Sequence, residues 1–477
     1  MKIKPWLRTR GTALLTSRVY RQLRRSTAAL VRRIKGQAPV VHYFHQVDDP
    51  YSDLAVRALP HLVGQYPITL VPHLVPAPDA GAAPEPQRLV EWSLRDAADL
   101  ARALSLESLP WQTAPNDSAV VQAQAALAGI TDPVRFAEIA ANIRHAFKRL
   151  PELQPELQPE LASELASELA SEIQASELVV AKLNIAASGD AEAALSDGKA
   201  LRQLLGHYLG AMFYFEGEWY WGLDRLPYLE QRLQSLSRNN TVTPFVSRLE
   251  CSVDETHVTP LECSVDESQA VPAHTQQRPV LDLYFSFRSP YSWIALPRVF
   301  ALATRYNAQL NLRFVLPMVM RGLPIPESKR LYIVSDTKRE AERVGLPFGL
   351  IADPVGKPTE RGLAVLHHAI QAGKGEVFAL SFMRGVFAEG ISARSDSGLL
   401  TLCTRAGITE AQMQAALADA SWRAVAEANR GEMFALGIWG VPGFRVNKGS
   451  AHWGQDRLWL LEQQLRQATT PAPDAPR

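Results

Sequence analysis

Asp282-Leu283-Tyr284-Phe285-Ser286-Phe287-Arg288-Ser289-Pro290-Tyr291-Ser292-Trp293 holds the end of a strand, a turn and the start of a helix within twelve residues. The run from Val280 to Phe285 is β-branched and aromatic, the pattern of a buried strand. Ser289 is a good helix cap and Pro290 suits the first helical position, so the sequence predicts a helix from Pro290 onward. The same opening occurs earlier, where Val40 to Phe44 precedes Pro50-Tyr51-Ser52.

The two openings begin a long internal repeat. Trp221-Gly222-Leu223-Asp224-Arg225-Leu226, with Leu229-Glu230-Gln231 and Leu233, returns as Trp453-Gly454-Gln455-Asp456-Arg457-Leu458, with Leu461-Glu462-Gln463 and Leu465. Asp96 and its surrounding apolar pattern correspond to Asp336 in the same way. The chain therefore reads as a basic segment 1–37, a first domain 38–236, a linker 237–277, a second domain 278–468 and a tail 469–477. Each domain opens strand–helix–strand, carries a helical insertion and closes strand–strand–helix, which makes an α/β layered fold. In the second, the closing strand is expected at Phe444 to Val446, the turn at Asn447 to Gly449 and the last helix at Asp456 to Leu465.

Composition limits the functional classes. The 477 residues are 47% hydrophobic and 21% charged, with 50 Lys+Arg against 49 Asp+Glu, so no global charge draws the chain to nucleic acid. Three cysteines make no disulfide framework, and no uncharged apolar run approaches a membrane span; a cytoplasmic location is the expectation. Residues 1–35 carry Lys and Arg but no acid, with Leu15, Val19, Leu23, Leu30 and Ile34 at helical spacing. Such a basic amphipathic helix either attaches peripherally to an anionic membrane or docks on its own protein.

Two stretches are repetitive. Residues 151–178 pass from Pro-Glu-Leu-Gln into Ala-Ser-Glu-Leu units, a helical insert in the first domain. In the linker, Leu249 to Glu255 returns unchanged as Leu261 to Glu267, with Cys251 and Cys263 lacking any CxxC spacing. His42 and His45 lie on opposite faces of a strand and His367-His368 in a helix, so no metal set is expected. Cys403 reads as a core residue among Leu399, Leu400 and Leu402. There is no phosphate-binding loop and no dinucleotide fingerprint.

The segment ending Ser289-Pro290-Tyr291-Ser292 resembles the active-site segment of the DsbA-like branch of the thioredoxin superfamily. Its oxidoreductases hold Cys-Pro-x-Cys there, and serine hydroxyls cannot exchange disulfides. Together with Gly440-Val441-Pro442-Gly443-Phe444 and Trp453 to Leu458, the serine form is similar to the 2-hydroxychromene-2-carboxylate isomerase and kappa-class glutathione transferase family, over 280–467. The resemblance implies two tandem thioredoxin-like domains and a glutathione-dependent isomerase or transferase acting on an aromatic or conjugated carbonyl substrate. It places the glutathione sulfur at Ser289, the catalytic residue, where a hydroxyl and a helix start both favour a thiolate. It assigns Pro442 as a cis-proline that lets Val441 pair with glutathione, and Gln455 and Asp456 as the hold on the γ-glutamyl end. Arg288, Tyr291, Trp293, Arg321 and Lys329 are candidates for the second substrate.

Ser286, Met320 to Pro326 and Ala352-Asp353-Pro354 depart from the family pattern around that second pocket. The first domain departs at the site itself, with Asp49 for Ser289 and Gly210-Ala211-Met212 for Gly440-Val441-Pro442. A carboxylate there would repel a thiolate. The first domain is then an internal pseudo-dimer partner, the isomerase and transferase relatives being dimeric. The alternative is a non-catalytic module that uses the same groove for a protein partner.

Overall fold

The computed structural model describes residues 10–11, 13–14, 16–79, 81–108, 114–149, 190–236, 242–253, 278–323 and 325–470. The insert expected at 151–178 lies outside them, as does most of the 237–277 linker. The chain divides into two compact units, residues 24–248 and residues 249–477 with 1–23.

Helix α1 (Arg18–Ile34) leads into β1 (Val40–His45), α2 (Pro50–Val56), α3 (Leu59–Gln65) and β2 (Thr69–Leu74). Helices α4 (Pro86–Ala103), α5 (Asp117–Leu127), α6 (Pro133–Arg149) and α7 (Ala191–Leu204) follow, then β3 (Met212–Phe215), β4 (Glu218–Trp221) and α8 (Gly222–Gln234). The sheet order is β2-β1-β3-β4, with β1 and β2 parallel and the other pairs antiparallel. Arg25 of α1 forms a two-pronged pair with Glu218 at 2.7 and 2.8 Å, and Arg32 pairs with Glu216. The apolar stripe Val19, Leu23, Leu30 and Ile34 stays exposed.

The second unit contains β5 (Val280–Phe285), α9 (Pro290–Arg305), β6 (Gln309–Phe314), α10 (Glu327–Arg343) and α11 (Lys357–Gln371). Then come α12 (Gly375–Arg384), α13 (Asp396–Arg405), α14 (Glu410–Ala418), α15 (Trp422–Ala435), β7 (Gly443–Val446), β8 (His452–Trp453) and α16 (Leu458–Thr469). Its sheet order is β6-β5-β7-β8, again with one parallel pair, β5 and β6. Parallel neighbours need a crossover, and α9 supplies it. That helix is buried from Ser292 to Ala303, so apolar residues line it all round and side chains such as Trp293 and Phe300 each contribute about 1.5–3 kcal/mol by burial. Cys403 is buried in the same core, and burial pushes its thiol up to about 12.

Two expectations need correction. The last helix does not start at Asp456: residues Gln455–Arg457 form a 3-10 turn after Gly454 (φ 103°), and the α-helix begins at Leu458. The stretch read as linker also takes part in the fold, because Val246, Cys251 and Val253 are buried.

The first unit buries His45 and His207 and half-buries His42 and His73. Tyr43 Oη lies 3.0 Å from His45 Nδ1, His42 Nδ1 lies 2.9 Å from His73 Nε2, and His207 Nδ1 accepts the Leu209 N–H at 3.2 Å. Burial lowers His45 and His207 to about 3 and His73 to about 4, and lowers His42. These rings are neutral in the fold but titrate near 6.5 when unfolded, so stability falls as pH drops below about 6.5. Asp49 opposes this, since burial raises its carboxyl to about 6 and its protonation favours the fold between about pH 6 and 4. It offsets about one histidine's share. Denaturation followed by tryptophan fluorescence should therefore show a lower urea midpoint at pH 5 than at pH 7, and an unchanged midpoint would contradict the burial of neutral histidines.

Candidate functional site

The site begins with the cap of α9. Ser289 has extended backbone (φ −89°, ψ 112°) and its Oγ accepts the Ser292 N–H at 3.2 Å, while Pro290 fills the first helical position. The capping oxygen thus satisfies one of the unpaired donors of the first turn and fixes where the helix starts. The Ser289 hydroxyl donates to the Val441 carbonyl at 3.3 Å. Val441 precedes Pro442 through a cis peptide bond, and the Pro442 carbonyl accepts the Gly454 N–H at 2.8 Å. Ser292 lies one turn deeper, 0% exposed, and its Oγ has no hydrogen-bond partner among the described residues.

This arrangement brings Ser289, Val441 and Pro442 together. Asp456 is half-buried, and its carboxylate accepts from the Gln455 side-chain amide. Gln455 itself is 2% exposed, with its Oε1 receiving Arg298 at 2.9 Å, so its side chain faces inward. Trp293 is corrected as a substrate contact, because it is fully buried and donates from Nε1 to the Pro347 carbonyl at 3.0 Å. Tyr291 donates to Asp336 at 2.8 Å. Arg288 grips Asp353 with two bonds, at 2.8 and 3.0 Å, and Arg321 lies over the Phe434 ring at 5.9 Å. Burial lowers the ammonium of half-buried Lys329. Among the described residues no group of His, Cys, Asp and Glu is arranged to hold a metal ion.

Two features escaped the sequence reading. Asp336 was visible only as a landmark of the repeat, yet Tyr51 donates to Asp96 at 2.6 Å in the first unit just as Tyr291 does to Asp336. Gly440 lies against Trp453, where a β-carbon would come within 1.9 Å of the indole ring. The ring in turn meets Trp439 at 4.9 Å. Glycine before Val441 was in view, but only the packing shows why no side chain fits.

The equivalent place in the first unit is internally saturated. Asp49 caps α2, accepting the N–H groups of Tyr51 and Ser52 at 3.3 and 2.9 Å and the Ser52 hydroxyl at 2.7 Å. Ser52 Oγ also accepts the N–H groups of Gln46 and Ala211 at 3.2 and 2.8 Å. Ala211 stands where Val441 stands and has a positive φ of 53°. Its backbone donor is spent on the protein's own serine.

Gly440→Ala should displace Trp453 and lower unfolding stability by about 1–3 kcal/mol. Urea denaturation checks this, and an unchanged midpoint would contradict the close packing.

Residues 280–466 match a family described as DSBA-like thioredoxin domain. Among solved structures, a probable DsbA oxidoreductase from Streptomyces coelicolor is 20% identical over 41% of this chain and 93% of its own, with a TM-score of 0.35. A 2-hydroxychromene-2-carboxylate isomerase is 22% identical over 40% of this chain and 95% of its own, with a TM-score of 0.33. A cytosolic disulfide reductase from Pseudomonas aeruginosa, solved with GSH, is 22% identical over 39% of this chain and 99% of its own, with a TM-score of 0.30. No curated protein matches the chain. Mixed α/β in content, the protein carries at residues 280–466 a DsbA-like thioredoxin domain.

Proposed function

We propose that the second unit is a glutathione-dependent isomerase or transferase of the 2-hydroxychromene-2-carboxylate isomerase type, acting on an aromatic or conjugated carbonyl substrate. The observation that carries this reading is the Ser289 hydroxyl, which caps α9 and lies 3.3 Å from the Val441 carbonyl. A half-buried hydroxyl, the positive end of a 16-residue helix and a neighbouring peptide backbone suit a thiol-bearing peptide. The unpartnered Ser292 Oγ beneath them adds a polar group where a cysteine would otherwise sit. Glutathione, when bound, supplies a thiolate nucleophile for reversible addition to the substrate.

The chain's own groups orient and stabilise charge. Ser289 turns its proton from the Val441 carbonyl towards the sulfur, holding it as a thiolate with the help of the helix start. The Val441 backbone pairs with the extended peptide, and Asp456 attracts the ammonium group of its γ-glutamyl end. Gln455 acts from behind, positioning Asp456 through its amide. Arg288 and Arg321 would meet an anionic second substrate, with the charge of Arg288 already matched by Asp353.

The first unit is read as a second thioredoxin-like copy that has lost this activity and serves as a built-in structural partner. Its identical strand order and its Tyr51–Asp96 pair support that reading, and the spent Ala211 donor supports the loss. A cytoplasmic location is part of the proposal, with peripheral membrane attachment left to α1 and its exposed apolar stripe; no described helix is long and apolar enough to cross a membrane.

Calorimetric titration should show one glutathione per chain. Asp456→Ala should weaken binding about tenfold, and Ser289→Ala should raise the pKa of the bound thiol by about one unit, read from thiolate absorbance. No heat at millimolar glutathione would overturn the enzyme reading and leave a groove for a protein partner.

A further inference from the structure

Glu462 on α16 is buried in the second unit and gathers several donors at once. Its Oε2 accepts the Ser252 N–H at 2.7 Å, and its Oε1 accepts the Tyr306 hydroxyl at 2.8 Å and the Ser252 hydroxyl. Beside it Arg298 Nη2 lies 3.8 Å from Cys251 Sγ, and Arg343 Nη1 donates to Glu250 at 3.0 Å. Cys251 and Val253 are 3% and 5% exposed and belong to the core of this unit. Every residue from Glu250 to Val253 therefore has its own seat: acid on arginine, thiol against guanidinium, serine on carboxylate, valine in the core.

The first unit uses the same device. Glu230, at the position equivalent to Glu462, accepts the Phe245 N–H at 3.1 and 3.2 Å and the Tyr66 hydroxyl at 3.4 Å. A glutamate on the closing helix, helped by a tyrosine, captures the passing chain in both units.

Leu-Glu-Cys-Ser-Val-Asp-Glu occurs at 249–255 and again, unchanged, at 261–267. The side chains that select the seat are the same in both, so the seat has no basis for telling them apart. We infer that the groove built by Arg298, Tyr306, Arg343 and Glu462 is a docking site for Leu261 to Glu267 as well, and that the two segments exchange in it. The flanking chain allows this. With Phe245 held before the seat and Val280 after it, moving the docked serine from 252 to 264 lengthens one loop while shortening the other. Closure probability varies as about the −3/2 power of loop length, which leaves the first segment favoured by only about twofold. Exchange changes the length of the tether between the two units by twelve residues, the spacing of the repeats.

Thiol alkylation of the full chain with iodoacetamide, resolved by fragment-ion mass spectrometry, reads the seat through Cys251 and Cys263. Val253→Asp puts a charge in the core position of the first segment and should hand the seat to the second. Cys263 should then react at least tenfold more slowly than in Val253→Asp/Val265→Asp, where neither segment fits. Equal Cys263 rates in the single and double variants would overturn the inference. Should Val253→Asp fail to fold, the unaltered chain decides: rates for Cys251 and Cys263 within about threefold support exchange, and a Cys251 rate a hundredfold slower than that of Cys263 overturns it.

Discussion

The cap of the first buried helix is the constraint that sets the polar surroundings of that helix start in each unit. In the second unit Ser289 starts α9, which is buried from Ser292 to Ala303, so the cap cannot move without moving the crossover between β5 and β6. A serine cap leaves a neutral hydroxyl at the positive end of that helix, beside Val441. In the first unit Asp49 does the same structural work with a carboxylate, and the local donors close around it. One fold position thus carries a neutral hydroxyl in one unit and a carboxylate in the other.

The asymmetry reaches the opposite loop. Ser52 lies between Asp49 and Ala211, giving its proton to the first and accepting from the second, so the loop N–H is already used within the unit. Ser292 occupies the matching place without such a partner among the described residues. Buried hydroxyls normally find one, and Ser292 is among the few described residues whose hydroxyl does not. Elsewhere the units agree: both tie a tyrosine of the first helix to a buried aspartate, and both use a closing-helix glutamate to catch the linker.

Much of this was legible from residue order. The strand from Val280, the helix from Pro290 and the cap at Ser289 follow from local preferences that the tertiary structure keeps. The repeat located Asp96 and Asp336 but not their tyrosine partners, because a shared position says nothing about which side chain turns towards it. Trp293 was misplaced for a related reason: it neighbours the site in sequence, but α9 is buried all round and turns that face into the core. Gln455 likewise points inward, since the 3-10 turn after Gly454 rotates it towards Arg298. The docking of Cys251 and Val253 had no sequence signal beyond the duplication, as four residues carry no periodicity to read.

We propose that glutathione meets the second unit at Ser289 and Val441 and leaves the first unit alone. Backbone amide NMR during a glutathione titration tests it residue by residue. Shifts should appear at Ser292, Val441 and Asp456 and at neither Ser52 nor Ala211. Shifts confined to the first unit, or absent from both helix starts, would contradict it.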